Sequence, residues 1–242
     1  MPKKPIHGIG SNQYQVRGVS KSAIKKLNKA NKLLSEIKQE LQNPTNFGYT
    51  KLWDGTEEWR NLDGELHRED GPALEWSDGT KEWYLNGQLH REDGPAVEYA
   101  SGTKEWYLNG QLHREDGPAI EWANGSKAWY LNGQRHREDG PAVEWSDGTK
   151  EWWVNDQCHR EDGPAVEWSD GGKVWWVNGE CHRTDGPALE GADGTKEWYL
   201  NGQLHREDGP AIENADGTKE YWINDKKVDK RQFNQYRKVN HA

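Results

Sequence analysis

Apolar positions in this chain come in short bursts, and the bursts keep time. Trp83-Tyr84-Leu85 is followed by Asn86-Gly87, then by a polar stretch, then by Pro95-Ala96-Val97 and Tyr99. The same order returns down the chain. His recurs at 67, 90, 113, 136, 159, 182 and 205, always 23 residues on, and Gly-Pro keeps the same beat. A period of this length is the signature of a repeat architecture. Bursts this short, rich in aromatic residues and bounded by Gly, Asn and Pro, predict strands. Asn-Gly is the strongest hairpin signal, because a type I′ turn needs positive φ at both central residues. Pro95 cannot donate to a ladder, so the returning strand must bend or lie at an edge there. Each repeat therefore reads as a β-hairpin whose second strand is kinked at Gly94-Pro95.

The predicted fold is mainly β. It is an elongated array of seven to eight 23-residue hairpins, joined as an antiparallel meander over residues 52–225. The first copy is irregular, with one extra residue between Trp59 and Gly64. A three-sided β-solenoid is the alternative, since Gly79, Gly87, Gly94 and Gly102 fall at near-equal spacings. Cys158 and Cys181 separate the two. They hold the same repeat position as Leu89, Leu112 and Leu204. In a meander, equivalent positions lie ~9–10 Å apart, beyond the ~7 Å reach of a disulfide. Two buried thiols in place of Leu are expected.

The flanks follow other rules. Residues 1–19 read as a flexible segment. In 20–44, Ala23, Ile24, Leu27, Ala30, Leu34, Ile37 and Leu41 recur at three and four, the pattern of an amphipathic helix. Ser20 or Ser22 is the expected N-cap, and Asn43-Pro44 the stop. The helix is expected to cover the open end of the sheet, with self-association through helix 20–42 or contact with an anionic surface as alternatives. Residues 226–242 form a C-terminal capping helix and basic tail. Asp229 and Gln232 make a capping box, and Phe233 and Tyr236 are expected to fold back on the last repeat.

Composition changes this picture in one respect. Only 32% of the 242 residues are hydrophobic, yet 15 are Trp and nine Tyr. Each aromatic can bury ~150–250 Å², enough to replace the missing aliphatics. No apolar run approaches the ~18 residues of a membrane span. The opening Met1-Pro2-Lys3-Lys4 leads into no apolar core of a signal peptide. A cytoplasmic location is expected.

Charge is unevenly spread. Residues 1–52 hold ten Lys and Arg against two Glu, while residues 53–224 hold 16 basic against 37 acidic residues, a net −21. Phosphates would be repelled along such an array, so no nucleic acid is expected to bind the repeats. At about three negative charges per ~9–10 Å repeat, the array has one charge per ~3 Å, about half the density of DNA. An acidic nucleic-acid mimic, inhibiting a nucleic-acid-handling enzyme of a host as counter-defence, is one alternative function.

The repeated His-Arg-Glu-Asp segment could in principle bind a metal or move protons. Its recurrence argues for ladders instead, because a catalytic centre is usually a single asymmetric constellation. Arg can stack on Trp and fork to Asp, while His bonds a neighbouring backbone group. The expected structural ladders are His90, Arg91 and Asp93; His113, Arg114 and Asp116; His136, Arg137 and Asp139; and His159, Arg160 and Asp162. No catalytic residues, cofactor or metal are expected. The candidate interaction surface is the aromatic row Tyr84, Tyr107, Tyr130, Trp153, Trp176 and Tyr199. It lies on the face opposite Trp83, Trp106 and Trp129, because adjacent strand residues point to opposite sides. A single-layer sheet can pack only one face on itself or on a helix, so the second aromatic row is either covered by long Lys, Glu and Arg stems, the plainer reading, or left exposed. Exposed aromatics suit a protein partner, with glycan or metal binding as a further alternative.

Trp83, Gly87 and His90 at this spacing resemble the core of the MORN repeat. The His-Arg-Glu-Asp-Gly-Pro-Ala copies are similar to the MORN-variant arrays of bacteria, phages and giant viruses, some of them antitoxin-like. The resemblance covers residues 52–225. It departs at Arg91, where the family pattern has Gly, and in the added Asp93-Gly94-Pro95. The resemblance implies a β-hairpin array, a viral or phage setting, and a non-enzymatic scaffold that binds another protein.

Overall fold

The computed structural model describes residues 21–41 and 48–240. It falls into two units. One holds helix α1, Lys21–Leu41. Ile24, Leu27, Leu33 and Leu34 on it are exposed. The expected N-cap Ser20, the stop at Asn43-Pro44 and the expected flexible segment 1–19 lie outside the described residues. Ser22 falls inside the helix. No helix among the described residues is long and apolar enough to cross a membrane.

The other unit is the array, and one repeat explains it. Lys81–Glu82 and Tyr84–Leu85 are two halves of one strand. Asn86 and Gly87, with φ of 49° and 74°, turn it back into Gln88–Leu89. Residues 90–96 then bulge around Gly94-Pro95 before Val97–Glu98 resumes the ladder. Lys81–Glu82 pairs with Val97–Glu98, and that pairs with Lys104–Glu105 of the next repeat. Every pairing in the array is antiparallel, a continuous meander of kinked hairpins. The three-sided coil is excluded, because its successive rungs would run parallel.

Trp83 is the joint. Its N–H donates to Ala96 O at 2.8 Å, and its carbonyl accepts from His90 N at 2.9 Å. It thus holds the two halves of the strand on both sides of the bulge. The alanine after each Gly-Pro is fully buried from Ala73 to Ala211, which explains why the position stays small.

Adjacent hairpins are also stitched by side chains. Thr80 Oγ1 accepts the N–H of Ala100 at 3.1 Å, and Thr103, Ser126 and Thr149 repeat the bond one repeat on. Gly172 stands at the next such position and has no hydroxyl to offer.

At the far end, helix α2, Lys230–Asn240, follows the last hairpin. Asp229 Oδ1 accepts from Gln232 N at 2.8 Å, and Gln232 Oε1 accepts from Asp229 N at 2.9 Å, the reciprocal capping box. Phe233 is buried against Tyr221, with ring centroids 4.7 Å apart. Tyr236 donates its hydroxyl to Glu207 at 2.8 Å. Both aromatics fold back on the array as the helix pattern predicts.

Candidate functional site

The two faces of the sheet differ in what covers their rings. On one face, Arg91 lies over the Trp83 ring at 4.1 Å. Its Nε donates to Asp93 at 2.8 Å, and its Nη1 donates to Pro95 O at 3.2 Å and to Glu98 at 3.1 Å. Arg114, Arg137 and Arg160 repeat the arrangement over Trp106, Trp129 and Trp152. Arg68, Arg183 and Arg206 extend it to both ends. The guanidinium also lies against the backbone of Gly94, where an added Cβ would meet Arg91 Cζ at 2.9 Å. Gly is required there by close approach and not by φ.

Each histidine bonds the following repeat. Nδ1 of His90 accepts the backbone N–H of Asn109 at 3.2 Å, at the start of the next turn, and its Nε2 faces Glu92 at 3.8 Å. His113, His136 and His159 hold Asn132, Asn155 and Asn178 in the same way. One ring nitrogen of each is thereby used in joining neighbouring repeats.

The Arg–Asp pairs make stability depend on acid. A hydrogen bond from Arg91, then its positive charge, holds the Asp93 carboxyl below its ordinary value. Asp116, Asp139, Asp162 and Asp185 are shifted the same way by Arg114, Arg137, Arg160 and Arg183. A carboxyl that is more acidic when folded leaves the unfolded chain binding more protons. Its stabilisation is present above the unfolded Asp pKa of about 3.9 and is lost as pH falls through the folded value. Urea midpoints measured from pH 7 to pH 2 should hold level to about pH 4 and then fall. A midpoint that did not fall in acid would contradict this account of the ladders.

On the opposite face lie the candidate aromatics. Tyr84, Tyr107, Tyr130, Trp153, Trp176 and Tyr199 are all half-buried. Four of the six polar tips are tied down by a carboxylate two residues back, while Tyr130 and Trp176 have Ala128 and Val174 at that position. The Tyr84 hydroxyl donates to Glu82 at 2.7 Å, Tyr107 to Glu105 at 3.0 Å, and Tyr199 to Glu197 at 2.9 Å. Trp153 Nε1 donates to Glu151 at 2.9 Å. Burial, then this bond, pushes the Tyr84 hydroxyl well above its ordinary pKa.

The more open rings belong to the turns. Trp76, Tyr99, Trp145 and Trp168 are 39–45% exposed. Trp76 Nε1 donates to Glu82 at 2.7 Å and Trp145 Nε1 to Glu151 at 2.8 Å, so one carboxylate serves a turn ring and a strand ring together. Trp122 stacks on Trp145 at 5.6 Å. These turn rings were missed as site residues on sequence grounds. Their 23-residue recurrence just before Asp-Gly or Ser-Gly was the available signal.

Strand and turn rings together form one aromatic face over the apolar clusters of the array. Ile120, Ala128 and Val143 underlie Trp122, Tyr130 and Trp153. Val174, Cys181 and Ala188 underlie Trp176 and Tyr199. Cys158 and Cys181 are both free and buried, and burial pushes each thiol up to about 12. No family model matches the chain, and no curated protein matches it.

Proposed function

We propose that this protein is a non-enzymatic repeat scaffold whose aromatic face binds another protein. The observation that carries this reading is the row of partly exposed turn rings, Trp76, Tyr99, Trp145 and Trp168, beside the strand aromatics. Exposed aromatics on a regular surface are the usual anchors of protein contacts. The resemblance to MORN-variant arrays supports the same reading, and so does the use of the His, Arg and Asp side chains in ladders that join repeats.

The test is capture by the full chain compared with two multiple variants. The first, Trp76→Ala/Tyr99→Ala/Trp145→Ala/Trp168→Ala, strips the turn rings. The second, Glu92→Gln/Glu115→Gln/Glu138→Gln/Glu161→Gln, neutralises the loop carboxylates on the Arg face. A partner lost with the first and kept with the second is the expected result. The reverse would favour the acidic-mimic reading. That reading draws on the regular row of loop glutamates, which are 83–87% exposed at Glu92, Glu115, Glu138 and Glu161. With about three net negative charges per ~9–10 Å repeat, the array as a whole reaches about half the charge density of DNA.

A further inference from the structure

Strand aromatics and the residues between them form a single file across the face: Tyr84, Leu89, Tyr107, Leu112, Tyr130, Arg135, Trp153, Cys158, Trp176, Cys181 and Tyr199. Each intervening residue pairs with the aromatic before it, as in Tyr84↔Leu89 and Trp153↔Cys158, and faces the aromatic of the next repeat. Leu fills the slot at 89 and 112. At 135 the slot holds an arginine. Its guanidinium carbon lies 3.5 Å from the centre of the Trp153 ring, and its Nε donates to Asp156 at 2.9 Å. The array thus shows, in one of its own copies, what charged group this kind of slot accepts.

The next two slots are under-filled. Cys158 and Cys181 are smaller than Leu or Arg, and Val174 replaces the glutamate found at 82, 105, 151 and 197. The outcome is an open groove of about 810 Å³. Trp153, Trp176 and Tyr199 wall it, and Trp168 closes one side. Gly172 belongs to this arrangement. A Cβ there would meet Trp168 Cε3 at 2.7 Å, so the missing side chain lets the Trp168 ring lie over its own turn. The only charged residues lining the groove are acidic: Glu151, Asp156 and Glu180. Glu180 stands where the repeats at 88, 111, 134, 157 and 203 have Gln.

We propose that this groove binds arginine side chains of a protein partner, each guanidinium lying against Trp176 or Tyr199 as Arg135 lies against Trp153. A guanidinium is planar and weakly hydrated. It stacks on aromatic rings while its edge donates to carboxylates. Of the acidic rim, Asp156 is already held by Arg135 and Glu151 by the Trp145 and Trp153 indoles, so Glu180 supplies the acceptor. The two slots lie one repeat apart, ~9.4–9.8 Å for two strands. Three residues of an extended polyproline segment span ~9.3 Å, so arginines three apart would fill both slots. This inference rests on the aromatic face being the interaction surface, and it names the chemistry of the partner.

The probe is the peptide Ac-Arg-Pro-Pro-Arg-NH2, titrated into the full chain by tryptophan fluorescence and calorimetry. Its Lys-Pro-Pro-Lys and Leu-Pro-Pro-Leu counterparts are the controls. The Arg peptide should bind at least about tenfold tighter than either control, since Lys lacks the planar fork. Cys158→Leu/Cys181→Leu installs the residue that other repeats carry, and should abolish binding while leaving the melting temperature unchanged. Glu180→Gln, also the residue of the other repeats, should weaken binding severalfold. Equal binding of all three peptides would overturn the guanidinium assignment and leave the aromatic face standing as a binding surface. Binding unchanged by Cys158→Leu/Cys181→Leu would place the peptide elsewhere and overturn the site. No binding of the Arg peptide at millimolar concentration would also overturn it, whatever the turn-ring variants show in capture.

Discussion

Replacing Trp129 with alanine is expected to destabilise the array by about 3 kcal/mol, the low end for a Trp→Ala change, because the ring is only half-buried. Three losses combine. The ring's packing disappears, and Arg137, 4.1 Å from its centre, loses its platform. The joint between the two strand halves is also loosened. The backbone bonds of residue 129 to Ala142 O and from His136 N, 2.8 and 3.1 Å, remain possible. What is lost is the side chain that seats them. Trp129 lies near the middle of the array, and each repeat contacts only its neighbours. Stability in such a chain is close to a sum of repeat and interface terms, so a central lesion should divide one cooperative transition into two. Scanning calorimetry would show this as a broadened or double endotherm. A single transition moved by less than about 1 °C would show that Trp129 contributes little, since 1 kcal/mol shifts a domain of this size by ~2–4 °C.

The second large effect is expected at a glycine. An alanine Cβ at Gly163 would stand 2.9 Å from Arg160 Cζ. The guanidinium cannot retreat freely. Trp152 lies 4.1 Å away on its other side, and Asp162, Pro164 O and Glu167 accept its hydrogen bonds at 2.8–3.2 Å. Gly163→Ala should therefore cost about 1–3 kcal/mol, as over-packing does. The cause can be isolated with a double-mutant cycle. With Arg160→Ala already in place the guanidinium is gone, and adding Gly163→Ala should cost little further. If Gly163→Ala is as damaging without the arginine as with it, backbone geometry is responsible and the close-approach explanation fails.

Much of this arrangement was legible in the sequence, for local reasons. Asn86-Gly87 announces its turn because two successive positive φ values are affordable there and at few other dipeptides. Pro95 announces the kink because it has no N–H to give. Arg91 and Asp93 bracket one residue, a spacing that lets a guanidinium reach a carboxylate while it rests on Trp83. Less legible was what holds the second row of rings. Alternation along a strand assigns Trp83 and Tyr84 to opposite faces, and the Arg91 spacing covers the first, but neither says that Glu82 ties down the second. Glu82 reaches both Trp76 and Tyr84 only because the preceding turn folds its indole back over the strand. The groove is a still longer-range property. Cys158 in place of Leu reads as a conservative exchange until Trp153, Trp176 and Val174 are seen around it.

The stitches between hairpins have a genetic consequence. The bond from the Asn109 N–H to His90 spans 19 residues and that from the Ala100 N–H to Thr80 spans 20. Both end within the adjacent copy. Unequal recombination that adds or removes one 23-residue unit therefore recreates the same junctions on either side. Such a gene can change the length of its product in whole steps of ~9–10 Å without redesigning any contact. Position along the array then becomes a heritable measure of distance. The under-filled copies around Cys158 and Cys181 mark one place on that scale, and a gain or loss of copies beside them would move the mark without erasing it.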